Sequence, residues 1–184
     1  FGSHTKDGFR AAGVSWGLFP SLQLGWILTN EKWFKPTNNV NYLKLMFGIE
    51  ENGNDNLDYY AARTYWETNQ VFENVFGKYL TNIANSELQW ETVRKINVGV
   101  EGSFFKNRLN GRFDYYTAVT KGMLTDITVP PSTGFYSYRE NMGETENKGY
   151  EAYLNFRAFD HKASKSYVNI FASVARNKNK ITKI

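Results

Sequence analysis

Few residues of this sequence have a type and spacing suited to acid–base or nucleophilic chemistry. The 184 residues include no cysteine, and neither His4 nor His161 has a partner at catalytic spacing. Glu144 and Glu146 would share one face of a strand, as a glycosidase carboxylate pair does, but solvation on a polar face explains them more simply. No nucleophile elbow, phosphate-binding loop or HExxH string is present. The sequence therefore predicts a protein that has no catalytic residues and is not an enzyme.

A metal site has one weak candidate. The stretch from Asn52 to Asp58 is rich in oxygen ligands and loosely resembles a calcium-binding loop. It lacks the Asp-x-Asp-x-Asp-Gly order and the glutamate at position 12 of such loops, so a polar turn is the better interpretation. We expect neither a bound metal nor a cofactor.

Aromatic residues are the unusual component of the chain, at 17% of all residues. Many of them fall in two long segments between predicted strands, near residues 51–88 and 123–143. Aromatic rings on exposed loops can stack on sugar faces or anchor a protein partner, although packing of each loop against itself is the simpler alternative. The candidates for ligand or partner contact are Tyr59, Tyr60, Tyr65, Trp66, Phe135, Tyr136, Tyr138 and Arg139.

The elements that would position these residues are strands, because the dominant hydropathy pattern repeats every two residues. Leu43, Leu45 and Phe47, for example, alternate with Lys44 and Met46, which gives a strand one apolar and one polar face. Several alternations run for ten residues or more, which is long against a typical strand of about 5–6 residues. Six strands are predicted, at residues 17–29, 40–50, 89–105, 108–122, 144–158 and 166–178.

One hairpin can be placed in register from its sequence. If the chain folds back at residues 106–107, Val100 meets Phe113 on the apolar face. The same register places Glu101 directly opposite Arg112 on the polar face, and an opposite-charge pair of this kind contributes roughly 0.2–1 kcal/mol. A slip by one residue would put apolar groups opposite polar ones, so the pattern selects this register.

The connections between the predicted strands alternate in length, at about 10, 38, 2, 21 and 7 residues. The long connections would therefore lie at one end of an up-and-down sheet, as the extracellular loops of outer-membrane barrels do. The strands also reach the length of about 9–11 residues that a membrane-crossing strand needs. A soluble antiparallel sandwich is the alternative, because alternation alone does not separate lipid from a protein core. Strand length, aromatic content and loop asymmetry favour the membrane barrel.

The overall charge and hydropathy leave this interpretation open. The net charge is +4, and solvated turns and loops explain it better than nucleic-acid binding, which we do not expect. The mean hydropathy of −0.53 is compatible with a barrel whose strands turn polar side chains to one face. The N-terminus lacks a signal-peptide pattern and reads like a point inside a longer chain. The basic residues that concentrate late in the chain are Lys162, Lys165, Arg176, Lys178, Lys180 and Lys183.

Several strings between residues 16 and 180, in order, resemble the SusC/RagA-type TonB-linked outer-membrane proteins. The segment WGLFPSLQLGW at 16–26 is similar to the family signature W-G-x-F-P-S-x-S-x-G-W. The string LQWET at 88–92 is similar to the family's L-x-W-E-T. The other matching strings are NYLKL at 41–45, GN at 53–54, NVGVE at 97–101, FFKNRL at 104–109, DYY at 114–116, NMGE at 141–144, NKGYE at 147–151 and NKNK at 177–180.

The resemblance implies an antiparallel up-and-down transmembrane β-barrel of about 22 strands in the outer membrane of a Gram-negative bacterium. It implies import of a large nutrient, a glycan or a peptide, energised by the TonB complex through parts outside this chain. It also implies a SusD-like surface lipoprotein as partner and contact with outer-membrane lipid. Residues 1–184 would be part of the barrel domain, with about six strands, while the plug and the remaining strands are not covered. A soluble all-β carbohydrate-binding module and a passive porin are the alternatives.

The polar faces of the strands would then line the barrel lumen. Charged side chains on these faces suit either an energised importer or a porin. The lumen-facing candidates are Lys95, Glu101, Arg112, Asp114, Glu151 and Arg157.

Overall fold

The computed structural model describes residues 2–4, 16–34, 39–55, 63–161 and 166–184, and these residues are almost entirely strands and turns. The strands are β1 (Gly2–His4), β2 (Trp16–Leu18), β3 (Ser21–Ile27), β4 (Val40–Asn54), β5 (Trp66–Phe72), β6 (Val75–Leu80), β7 (Glu91–Phe104), β8 (Leu109–Lys121), β9 (Leu124–Thr128), β10 (Ser137–Asn141), β11 (Glu144–His161) and β12 (Ser166–Lys183). Short 3-10 turns occupy Leu28–Asn30 and Pro131–Thr133. In the described ranges no helix has the length and apolar character needed to cross a membrane.

Six strands form one antiparallel sheet in the order β12-β11-β8-β7-β4-β3. Strands that follow one another in this set lie side by side, which is an up-and-down meander. They correspond to the six strands that the alternation predicts, so the all-β antiparallel prediction is confirmed. The sheet does not close on itself, and β3 and β12 are its two edges within the described residues.

The ends of the strands differ from the prediction in a consistent way. β4 and β12 continue to Asn54 and Lys183, past the apolar alternation, because the polar residues there keep pairing with the adjacent strand. The predicted strand 17–29 is divided at Pro20, which has no backbone N–H to donate to a ladder. The carbonyl of Pro20 still accepts a bond from the backbone N–H of Glu51, at 2.9 Å. The piece before the proline, β2, pairs with β1 instead of joining the sheet.

Cross-strand register gathers the apolar side chains into rows on one face of the sheet. One row comprises Leu24, Phe47, Val98, Tyr115 and Tyr150. The adjacent row comprises Trp26, Leu45, Val100, Phe113 and Ala152. These side chains are not covered by a second layer, since Leu24 is 57% and Val98 is 50% exposed. Such a one-sided apolar surface is what a lipid-facing barrel wall presents.

The predicted register of the β7–β8 hairpin is confirmed, with Glu101 directly opposite Arg112. The predicted turn residues, Lys106 and Asn107, have φ angles of 57° and 66°. Positive φ at these two positions is typical of a type I′ turn, but Phe105 before them also has a positive φ, 54°, so the left-handed stretch is one residue longer here. The turn and the alternation therefore specify the same pairing.

Each long connection contains a hairpin that the sequence pattern does not predict. β5–β6 lies between β4 and β7, and β9–β10 lies between β8 and β11, so both hairpins are at the same end of the sheet. At the opposite end, β7 and β8 are joined by only four residues, 105–108. The hairpin strands are five to seven residues long and mix polar with apolar side chains, which leaves little periodic signal.

Candidate functional site

The polar face of the sheet forms a concave surface that encloses about 970 Å³. Four of the six lumen-facing candidates line it, namely Lys95, Arg112, Asp114 and Glu151. The other two belong to the same face by register, since Glu101 pairs with Arg112 and Arg157 lies six residues along β11 from Glu151. The strands thus bring all six charged candidates together on one surface. Their contact with a transported molecule remains a prediction.

The ion pairs on this face differ in detail from the expected ones. Arg112 does not use Glu101, its cross-strand partner, but donates two hydrogen bonds to Asp114, at 2.7 and 3.0 Å. Asp114 is two residues further along β8 and therefore points to the same side. Lys95 lies 3.6 Å from the carboxylate of Glu50. The charges are largely matched within the wall, and partly exposed pairs of this kind contribute about 0–1 kcal/mol.

Glycines on the polar face make room for neighbouring side chains to lie flat. A Cβ on Gly149 would come within 2.5 Å of the hydroxyl of Tyr116, the residue opposite it. A Cβ on Gly99 would come within 2.5 Å of the carboxylate of Asp114, again the opposite residue. The tyrosine and aspartate therefore lie along the wall instead of projecting from it, which keeps the concave surface wide.

A compact cluster at the hairpin end, here called the Phe19–Trp90 cluster, consists of Phe19, Gly53 and Trp90, and the buried Leu88 lies two residues before Trp90. The rings of Phe19 and Trp90 meet edge to face, with centroids 5.2 Å apart. Leu88 is fully buried, and a Cβ on Gly53 would collide with the Phe19 ring. All four residues belong to strings by which the sequence resembles the transporter family. Their shared position shows that these strings specify side-chain packing at the hairpin end of the sheet.

Asn141 joins the second long connection to this cluster. Its side-chain oxygen accepts from the backbone N–H of Gln89 at 2.7 Å, and its amide group donates to the carbonyls of Gln89 and Gly122 at 2.8 and 2.9 Å. The carboxylate of Glu91 accepts from the N–H of Leu124 at 3.3 Å. The three hydrogen bonds of Asn141, here called the latch, hold the second long connection in place. The sequence pattern alone does not assign this role to the family-like N-x-G string at 141–143.

The β9–β10 hairpin carries four of the candidate contact residues, and two of them have partners of their own. Arg139 donates to both carboxylate oxygens of Asp126, at 2.8 and 2.7 Å. This guanidinium holds the pKa of Asp126 below its usual value. The hydroxyl of Tyr138 donates to Glu140 at 2.6 Å, and this bond to a carboxylate raises the pKa of the tyrosine. Of the remaining two, Phe135 is half-buried and Tyr136 is 87% exposed, so Tyr136 is the ring offered most openly to solvent.

The β5–β6 hairpin exposes its aromatic and aliphatic side chains broadly. Trp66 is 63%, Phe72 is 69% and Phe76 is 65% exposed. Tyr65 is also exposed, whereas the candidates Tyr59 and Tyr60 lie outside the described residues. The polar turn predicted from Asn52 to Asp58 is wrong at its start, because Asn52–Asn54 continue β4 and pair with β7, while residues 56–58 lie outside the described residues. The described residues contain no group of three potential metal ligands. A hairpin with apolar groups on both faces is a surface suited to a protein partner.

The short-connection end carries a group of aromatic rings in mutual contact. Trp33 contacts Trp26 and Phe34 edge to face, with centroids 6.2 and 6.0 Å away. The indole N–H of Trp26 donates to Glu31 at 2.8 Å. An indole with one apolar side and one bonded N–H is well suited to a boundary between lipid and water.

Comparison with known proteins gives consistent matches along the chain. The family model described as TonB dependent receptor-like, beta-barrel matches residues 2–182. TonB-dependent receptor P3 of Formosa agariphila is 32% identical over 172 residues, which is 92% of this chain and 17% of that protein. TonB-dependent receptor SusC of Bacteroides thetaiotaomicron is 30% identical over 178 residues, again 92% of this chain and 17% of that protein.

A solved structure agrees with these sequence matches. The structure described as the RagAB peptide transporter superposes with a TM-score of 0.84 and 26% identity, over 94% of this chain and 19% of that chain. The same importer in its "open-open" state gives a TM-score of 0.81. The chain therefore spans less than a fifth of the length of the relatives it matches.

Proposed function

This chain belongs to the TonB-dependent receptor-like β-barrel family, and from that membership we propose that it forms part of the barrel wall and extracellular loops of an outer-membrane importer. The family consists of receptors and transporters, and is not an enzyme family. The proposed cargo is a large nutrient, a glycan or a peptide, taken up with energy supplied through TonB. The observation that carries the proposal is the six-stranded meander with one apolar face and one charged, concave face.

The loop lengths support a proposed orientation of the wall. Outer-membrane barrels place short turns in the periplasm and long loops outside the cell. The β5–β6 and β9–β10 hairpins are therefore proposed to face the exterior, and the turn at residues 105–108 the periplasm. The long strands of the sheet have 13 to 18 residues, against about 9–11 needed to cross the membrane, so they extend into the exterior region.

The concave face is proposed to be the lumen side, along which the cargo passes. Its lining is rich in amide and hydroxyl groups, including Asn97, Tyr116 and Asn147, between matched ion pairs. Neutral donors and acceptors bind polar cargo weakly at many points, which suits passage better than capture. Sugars and peptides both carry the complementary groups, so the wall supports either class of cargo.

The β5–β6 hairpin is proposed to contact a SusD-like surface lipoprotein. Its exposed rings, Trp66, Phe72 and Phe76, lie at the proposed outer end of the wall. Aromatic residues in the centre of a protein interface commonly supply most of its binding energy. The solved structure that this chain resembles is described as the RagAB peptide transporter.

Uptake by cells tests the proposed function directly. A strain lacking the full-length gene is complemented with the wild-type gene, with and without an intact TonB system, and grown on individual glycans and peptides as sole nutrient. We expect restored growth on one class of nutrient, only in the presence of TonB. Uptake that persists without TonB would show a passive porin. Recovery of the full-length protein in the aqueous fraction without detergent would contradict the membrane placement itself.

A further inference from the structure

Three of the late basic residues, Arg176, Lys178 and Lys180, have no part in the proposed transport path, because the sheet places them on its outward face. Lys162 and Lys165 lie outside the described residues. By register the odd-numbered residues of β12 belong to the concave face, since Ala175 is directly opposite Glu151 and Ser173 is directly opposite Tyr153. Arg176 and Lys178 are even-numbered and follow the same strand, so their side chains point to the opposite side, together with Val174 and Ile170. The outward basic residues of β11 and β12 that lie close together are Lys148, Arg176, Lys178 and Lys180, here called the basic stripe.

The stripe lies at the hairpin end of the apolar face. Lys148 is directly opposite Lys178, while Tyr150, the last member of one apolar row, is directly opposite Arg176. Further along the same strands toward the short connections, the outward positions become apolar, as at Leu154. On the described part of β11 and β12, the positive charge therefore begins where the apolar side chains end, toward the side proposed to face the exterior.

Within the described residues, few carboxylates lie beside this stripe. The nearest carboxylate on the face, Glu146, lies opposite Lys180 but is bonded to Lys148 at 2.7 Å. Within the ranges that the structure describes, Arg176, Lys178 and Lys180 form no ion pair. Like charges directly opposite each other, as at Lys148 and Lys178, disfavour strand pairing. An external anion would remove this repulsion.

We propose that the basic stripe binds the phosphate groups of the lipid headgroups in the outer leaflet. The inference rests on the proposed membrane placement but not on the cargo or on TonB. Residues two apart in a strand are about 6.8 Å from each other, so the three cations of β12 span about 14 Å along the strand. A headgroup that carries two separated phosphates fits this spacing better than a single small anion. Long cationic side chains can also keep their stems on the apolar surface while their charges reach the headgroup layer.

The test uses the full-length protein in detergent, titrated with diphosphoryl lipid A and followed by native mass spectrometry. The variant is Arg176→Gln/Lys178→Gln/Lys180→Gln. One cation near an anionic lipid surface corresponds to about a fivefold change in affinity, so the triple variant should bind at least tenfold more weakly. A matched control is Lys32→Gln/Lys106→Gln/Arg108→Gln, which removes one arginine and two lysines, all exposed, from the short-connection end. The control should bind like the wild type.

Three outcomes would overturn the proposal. Equal binding of dephosphorylated lipid A would show that the headgroup phosphates are not recognised. Displacement of the lipid by inorganic phosphate at equal concentration would identify a site for free anions instead. A large loss of thermal stability of the triple variant in lipid-free detergent would show that protein carboxylates already neutralise the stripe. Growth on the transported nutrient, measured in parallel, separates failure of this inference from failure of the proposed transport.

Discussion

The two hairpins at the outer end of the sheet are alike in topology but differ in how they are held. The β9–β10 hairpin is tied to the wall by the three bonds of Asn141 and by the bond from Leu124 to Glu91. A further bond joins Asn85 to the carbonyl of Arg139, at 3.0 Å. Most of its polar side chains therefore have a structural use, and Tyr136 remains as the most exposed ring.

The β5–β6 hairpin is closed at its base by bonds between nearby residues. Thr81 bonds to the carbonyl of Tyr65, and Asn82 to that of Arg63. Its apolar residues are exposed on both faces, so little packing holds the hairpin in one orientation. The difference suggests a division of roles, in which β9–β10 completes the wall and β5–β6 stays available for a partner.

The largest expected effect is on the latch. Asn141→Ala removes three hydrogen bonds of about 1 kcal/mol each, so opening of the β9–β10 segment should become easier by about 3 kcal/mol. Limited proteolysis of the full-length protein should then cut residues 122–143 roughly 100-fold faster. Asn85→Ala, which removes one bond to the same hairpin, is a graded control with an expected increase of about fivefold. Cleavage at the wild-type rate in Asn141→Ala would contradict the latch.

The next largest effect concerns binding of the surface lipoprotein by the β5–β6 hairpin. Trp66→Ala should weaken capture of the surface lipoprotein by about 2 kcal/mol, or about 30-fold, because a central aromatic residue commonly dominates an interface. The same change should alter the stability of the isolated receptor by less than about 0.5 kcal/mol, since the side chain is 63% exposed. Phe105→Ala, at a residue 53% exposed on the opposite end, is the matched control. If Phe105→Ala weakened lipoprotein binding and Trp66→Ala did not, the interface would lie at the short-connection end instead.

A smaller effect concerns backbone strain, which differs between the turns of the two hairpins. Gly134 in the β9–β10 turn has φ +80°, where an alanine is strained, whereas Glu73 in the β5–β6 turn already has φ 38° with a side chain. We expect Gly134→Ala to destabilise its hairpin by about 1 kcal/mol and Glu73→Gly to stabilise the other by a similar or smaller amount. Hydrogen exchange of the two hairpins measures both. Changes of the same sign would contradict the assigned backbone strain.

The wall could be predicted from the sequence because its signal is local. Alternation along each strand and the turn at Lys106-Asn107 together identify the pairing of Glu101 with Arg112. The choice of Asp114 as the actual ion partner could not be predicted, since it depends on side-chain conformation and on the space above Gly99. Register is a property of backbone pattern, whereas ion pairing is decided between several side chains within reach.

The latch could not be predicted, because its partners are distant in sequence. Asn141 bonds to Gln89, which is 52 residues away, and its type and spacing resemble those of any polar turn residue. The strings around both residues indicate a family resemblance but no role. The two hairpins cannot be predicted for a related reason, since strands as short as Leu124–Thr128 contain too few residues to establish a period.

The smallest expected effect is the pH dependence of the Asp126–Arg139 pair. Because the folded pKa of Asp126 is lowered, its contribution is fully present above the unfolded value of about 3.9 and is lost as pH falls through the folded value. Hairpin opening should therefore be constant from pH 7 to about 5 and increase below about pH 4. The carboxylate is 55% exposed, so the gain is limited to roughly 0.2–1 kcal/mol. Asp126→Asn should abolish this acid response in β9–β10, while Asp160→Asn at the opposite end should retain it. An acid response that survives Asp126→Asn would assign the pH sensitivity of the hairpin to another carboxylate, and would leave the neutral bonds of Asn141 as the main difference between the two hairpins.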